Sequence, residues 1–135
     1  MASGTWPTAE TFRGKTILIV EDDVDFSNIL TSAFRTFGAH IVTAGNVAEA
    51  QREIVARRAD LILSDLALPG ETGVDLIRWL RSMPEALGRD TPCIAMAGYP
   101  STYPPTGAAG FDAYIRKPID IERLCRLVAG MLVMP

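Results

Sequence analysis

Apolar residues fall along this chain in two kinds of block. Thr16-Ile17-Leu18-Ile19-Val20, the run from Ala59 to Leu68 that carries Asp65, and Pro92-Cys93-Ile94-Ala95-Met96-Ala97 are short and nearly continuous. Their length and their β-branched and leucine content predict strands buried on both faces. His40 to Ala44 and Ala113-Tyr114-Ile115-Arg116 read as two further strands. Between them apolar residues recur at helical spacing. Phe26, Ile29, Leu30, Ala33, Phe34 and Phe37 form one such stripe, with Gly38 placed to stop the helix. Val47, Ala50 and Ile54 form a second, opened by Asn46 as cap and Glu49 reaching back to it. Val74, Ile77 and Leu80 mark a third, which Pro84 ends or closely follows. Ile121, Leu124, Cys125, Val128, Met131 and Leu132 mark the last, capped by Asp120.

Five strands alternating with helices predict right-handed βαβ units and a single doubly wound, five-stranded parallel α/β sheet. Two stretches stand outside the pattern. Residues 1–14 lack periodicity and read as an N-terminal tail or linker, which sets the domain at 15–135. After the fourth strand, Pro100, Pro104, Pro105, Gly107 and Gly110 leave little room for a regular helix, so the fourth helix is expected to be shortened or irregular.

Composition narrows this only a little. With 135 residues, 48% hydrophobic and 21% charged, the chain suits one soluble domain rather than a disordered segment. A net charge of −3 gives no electrostatic reason to expect nucleic acid. No apolar run reaches membrane-spanning length, and residues 1–14 lack the apolar core of a signal peptide. Cys93 and Cys125 lie in apolar segments without metal or redox spacing, which reads as buried free thiols in a reduced, cytoplasmic setting.

The chemistry gathers where strands end. Glu21 and Asp22 follow the first strand, Asp65 closes the third before Pro69-Gly70, and Lys117 follows the fifth. In an open α/β sheet these carboxyl ends form the binding crevice. Carboxylates crowded there repel unless a cation neutralises them. A hard divalent ion with oxygen ligands, Mg²⁺ before others, resolves the conflict while keeping several waters. A carboxylate beside such an ion can attack a phosphoryl group and become an acyl phosphate. The metal and a lysine then offset charge on the phosphoryl oxygens.

Three segments now carry a resemblance. Ile17-Leu18-Ile19-Val20-Glu21-Asp22-Asp23, Asp65-Leu66-Ala67-Leu68-Pro69-Gly70 followed by Gly73, and Lys117-Pro118 look like the signature segments of bacterial response-regulator receiver domains, in order and in separation. Arg13-Gly14-Lys15 and Gly110-Phe111-Asp112-Ala113-Tyr114 look most like receivers of hybrid sensor histidine kinases. The resemblance implies a flavodoxin-like strand order 2-1-3-4-5. It implies that Asp65 accepts phosphate from a histidine kinase or histidine phosphotransfer protein, as a phosphoacceptor rather than an enzyme. Asp22 and Asp65 would then ligate Mg²⁺ directly with the backbone carbonyl of Ala67, Glu21 would act through metal-bound water, and Lys117 would contact the phosphoryl group. It also implies a cis bond before Pro118; a second copy or an effector domain is a further candidate partner, and charge and hydropathy give no reason to expect membrane or nucleic-acid contact by this domain.

The departures from the family pattern carry their own expectations. Ala97 stands where receivers usually have Ser or Thr, so the usual link from the phosphoryl group to an aromatic residue, here Tyr114, lacks its hydroxyl. Ala67 and Tyr99 occupy the two positions that influence attack by water; neither orients a water readily, Tyr99 could shield the phosphate, and slow self-hydrolysis is expected. Two other readings compete. A degenerate receiver would bind partners without phosphorylation. A haloacid-dehalogenase-type phosphatase would use Asp23-Val24-Asp25, although that motif arrives one residue late and leaves Asp65 without a role.

Overall fold

The apolar runs become five strands and the periodic stretches become helices, in a computed structural model that describes residues 7–98 and 110–132. In chain order the elements are β1 (Thr16–Val20), α1 (Val24–Thr36), β2 (His40–Ala44), α2 (Val47–Ala56), β3 (Leu61–Asp65), α3 (Gly73–Arg81), a single 3-10 turn at Glu85–Leu87, β4 (Cys93–Ala97), β5 (Ala113–Arg116) and α4 (Ile121–Leu132). The sheet runs β2-β1-β3-β4-β5 and every pairing is parallel. The fold expected from the sequence is therefore present, including its strand order. The segment for which an irregular fourth helix was expected, with Tyr99, lies outside the described residues.

Alternate residues of the inner strands feed two separate core layers, as a sheet covered on both faces requires. Leu18, Val20 and Ile62 face α2 and α3 together with Ala50, Ile54, Leu76 and Leu80. Ile17, Ile19, Leu61, Leu63, Ile94 and Met96 face α1 and α4 together with Leu30, Phe34, Leu124 and Val128. The chain leaves β1 for β2 on one side and returns to β3 on the other, so the strand order reverses between β1 and β3 and opens a crevice at their carboxyl ends.

Local polar residues start the helices. Asp23 accepts from the Phe26 backbone N–H at 3.2 Å, Asn46 from that of Glu49 at 2.9 Å, and Asp120 from that of Arg123 at 3.2 Å. The Glu49 carboxylate reaches one residue past its expected partner, to the N–H of Gly45 at 2.7 Å. Thr72 and Asp75 add a reciprocal capping box at α3.

Two sequence expectations change. Ile29, placed in the buried stripe of α1, is 55% exposed. That stripe is centred on Ser27, Leu30 and Phe34, and at 3.6 residues per turn Ile29 falls more than a quarter turn from its axis. The tail expected over 1–14 is anchored to the core by Phe12. Ala9 to Gly14 form turns, Phe12 is fully buried, and its ring meets Phe34 and Phe37 at centroid distances of 5.6 and 6.5 Å. Phe12 also donates its N–H to the Phe37 carbonyl at 2.8 Å. Gly38, at φ +94°, lets this turn approach closely: a Cβ there would lie 2.8 Å from the Ala9 carbonyl oxygen.

At the opposite, amino edge of the sheet, Arg81 ties three segments together. Its guanidinium donates to the carbonyls of Gly110 (3.0 and 2.8 Å), Arg89 (2.8 Å) and Thr91 (2.7 Å), and to Asp112 Oδ2 at 3.0 Å. The same Asp112 oxygen accepts from the Cys93 N–H at 2.8 Å.

Candidate functional site

Val20 of β1 lies beside Ser64 of β3, so the next residue of each strand, Glu21 and Asp65, arrives side by side at the crevice. Both are 4% exposed, whereas Asp22 faces solvent. Oxygens of Glu21, Asp22 and Asp65 lie within 4.8 Å of one another. From the other side β5 delivers Lys117, whose N–H donates to the Ala97 carbonyl at 2.7 Å and whose peptide bond to Pro118 is cis. Its Nζ donates to Asp65 Oδ2 at 2.8 Å and to Glu21 Oε1 at 3.2 Å. The second oxygen of each acid is also held: Ala67 N–H donates to Asp65 Oδ1 at 3.1 Å, and Asp23 N–H donates to Glu21 Oε2 at 3.0 Å. The structure thus brings together all four residues that the sequence assigned to the crevice.

Gly73 fixes the backbone beneath Asp65. Its N–H donates to the Leu66 carbonyl at 3.0 Å. A Cβ on Gly73 would strike the Asp65 carbonyl oxygen and lie 3.0 Å from Leu66 Cα, so only glycine lets the first turn of α3 rest on the end of β3.

Burial is the main influence on the acid beside Asp65. It raises the Glu21 pKa above its ordinary value; the Asp23 N–H works against it, the Asp65 charge adds to it, and Lys117 opposes it. For Lys117, burial works against the charged form, but the hydrogen bond and charge of Asp65, with those of Glu21, outweigh it and raise the pKa. The lysine is therefore a firmly charged group at neutral pH.

The neighbouring relay position is apolar. Ala97 is buried at the end of β4 and lines, with Tyr114, Arg116, Pro118 and Arg123, a cleft of about 320 Å³. Tyr114 is half-buried, its ring edge-on to Phe111 at 5.7 Å, and its buried hydroxyl has no hydrogen-bond partner among the described residues. Burial pushes the Tyr114 phenol pKa up. Asp23 and Asp25 are exposed, and the Asp23 carboxylate is engaged in capping α1 rather than facing Asp65 and Lys117 in the crevice.

The sequence reading overlooked one contact. Phe26, assigned only to the apolar stripe of α1, places its ring centroid 5.2 Å from Lys117 Nζ. The spacing puts an aromatic of the first helical turn near the end of β1 but does not show what that ring faces.

Known proteins agree with the geometry. The sequence model of the response regulator receiver domain matches residues 17–129. An uncharacterised 14.6 kDa protein of Leptolyngbya boryana is 34% identical over 114 residues, which cover 83% of this chain and 86% of that one. The phosphate regulon transcriptional regulatory protein PhoB of Pseudomonas aeruginosa is 34% identical over 88% of this chain, which spans about half (52%) of PhoB. The signal receiver domain of a signal transduction histidine kinase from Syntrophus aciditrophicus superposes with a TM-score of 0.79 at 28% identity, covering 89% of this chain and 91% of that one. A CheY-like response regulator receiver domain protein from Methanospirillum hungatei JF-1 gives 0.77 at 26% identity, over 88% and 94%. Sequence and fold lead to one assignment: the chain belongs to the response regulator receiver domains of two-component systems.

Proposed function

We propose that Asp65 accepts a phosphoryl group from the phosphohistidine of a histidine kinase or histidine phosphotransfer protein. The observation that supports this is the convergence of Glu21, Asp22 and Asp65 with the Lys117 ammonium bonded to Asp65 Oδ2. In the transfer the N–P bond of phosphohistidine breaks, an O–P bond to an Asp65 oxygen forms, and the imidazole leaves with the bonding electron pair. Lys117, already within bonding distance of the attacking carboxylate, stands ready to move its hydrogen bond onto a phosphoryl oxygen. The domain is consumed as an acceptor rather than acting as an enzyme in its own right.

Mg²⁺ fits the donor set: three carboxylates offer hard oxygens close together, two of them buried. Asp22, Asp65 and the Ala67 carbonyl would hold it, with Glu21 acting through a water. Bound there, it would offset negative charge on the phosphoryl oxygens. On this reading the domain works in the cytoplasm; among the described residues no helix is long and apolar enough to cross a membrane.

Incubation with Mg²⁺ and acetyl phosphate should give a labile phosphate adduct by intact mass, abolished in Asp65→Asn. An unmodified wild type, or an equal adduct on Asp65→Asn, would overturn the reading. Ala97 and the unpartnered Tyr114 hydroxyl favour a second reading for output, in which partner binding ignores phosphorylation. It predicts partner affinity or oligomeric state unmoved by beryllofluoride, and a clear change on adding that mimic would exclude it.

A further inference from the structure

Four contacts close a ring around the acid edge. Lys117 Nζ donates to Glu21 Oε1 at 3.2 Å, and the other oxygen of Glu21 accepts from Asp23 N–H at 3.0 Å. The Asp23 carboxylate accepts from Phe26 N–H at 3.2 Å, and the Phe26 ring returns to Lys117, 5.2 Å from Nζ. An ammonium has three N–H donors on a flexible stem. Two of them go to the carboxylates, and the Lys117 side chain keeps 29% exposure, so its remaining flank is open either to water or to the ring.

We propose that Phe26 is a positioning residue for Lys117, its π face holding the ammonium over the crevice while the hydrogen bond passes from Asp65 to a phosphoryl oxygen. This rests on the phosphoacceptor reading given above. The physical reason lies in the directionality of the two attractions. The bond to Asp65 Oδ2 depends on that oxygen being free and negative, and it weakens when the carboxylate becomes an acyl phosphate. Attraction to a ring quadrupole tolerates a shift of the cation across the face. Lys117 therefore keeps one partner on α1 throughout, and the ring keeps water off that flank. Phe26 also packs against the core layer between the sheet and helices α1 and α4, so a purely structural role is the competing account.

Phe26→Leu keeps an apolar side chain and removes the π face; Phe26→Tyr keeps both. In the presence of Mg²⁺, Phe26→Leu is expected to bind beryllofluoride about two- to fivefold more weakly, with Phe26→Tyr restored towards wild type and Mg²⁺ affinity unchanged in all three proteins. In the protein without additions, the Lys117 Hε protons should show a ring-current upfield shift that Phe26→Leu abolishes. Equal beryllofluoride affinity in Phe26→Leu, Mg²⁺ affinity falling in step with it, or Lys117 Hε protons unaffected by the substitution would each overturn the role of Phe26. A wild type that binds Mg²⁺ but not beryllofluoride would instead overturn the phosphoacceptor reading, and the proposal with it.

Discussion

Replacing Gly73 by alanine sets two effects against each other. Gly73 opens α3, and no left-handed backbone requires glycine there. By helix propensity alone, alanine should stabilise the domain by about 1 kcal/mol. Against this, the new Cβ meets the carbonyl oxygen of Asp65, with Leu66 Cα at 3.0 Å and Asp65 C at 3.2 Å behind it. These are backbone atoms of a fully buried strand end, so no side chain can swing aside. The strain belongs at or above the top of the usual range for overpacking, about 1–3 kcal/mol. The clash wins, leaving a net loss of about 2 kcal/mol, or roughly 8 °C in Tm for a domain of this length. Calorimetry would measure it. Because relief requires moving Asp65 itself, Mg²⁺ affinity should also fall by roughly tenfold or more in titrations on the folded protein. An unchanged or raised Tm would refute the steric argument. A lowered Tm with wild-type Mg²⁺ affinity would refute the claim that Gly73 positions Asp65.

Other outcomes follow from the same contacts. Phe12→Ala should cost about 3–5 kcal/mol in urea unfolding, as for a fully buried aromatic; a loss under about 1 kcal/mol would mean that the N-terminal turn is not part of the core. Tyr114→Phe removes a buried hydroxyl without a partner among the described residues, and should leave stability unchanged or raise it by about 1 kcal/mol, whereas a clear loss would reveal a partner. Glu21, with its pKa raised from an ordinary 4.5, holds its proton more tightly in the folded domain than in the unfolded chain. Its contribution to stability is complete below 4.5 and is lost as pH rises through the raised value, while Mg²⁺ affinity climbs over that same window. In Glu21→Gln the climb attributable to this group should vanish from calorimetric titrations; an unaltered pH profile would show that another group governs it.

How much was legible in the sequence differs by element. The inner strands were plain because residues buried on both faces must be apolar without interruption, and Asp65 stood out as the acid that ends such a run. The crevice followed from topology, since parallel strands bring all their carboxyl ends to one edge. Phe12 was hidden for the opposite reason: a single aromatic among polar residues has no period, and its partners Phe34 and Phe37 lie far along the chain. Ile29 misled because a run of apolar residues in one helix is wider than the stripe its neighbours cover. Phe26 belongs to the apolar stripe of α1, but its place against Lys117 is hidden, for a periodicity shows which face a residue occupies and not what lies opposite.

The Arg81 clasp has a bearing on how such a domain can change over time. One side chain holds the chain where it re-enters the sheet, at Gly110 and Asp112, and also holds the approach to β4 at Arg89 and Thr91. The start of β5, and with it the approach to Lys117, is thereby held from the amino edge as well as by its ladder to β4. A change of length or proline content in the connection from β4 to β5 that leaves the clasp intact should therefore still deliver the lysine opposite Asp65. Selection acting on the segment after Gly98 for new partners would then leave the meeting of Lys117 with Asp65 in place.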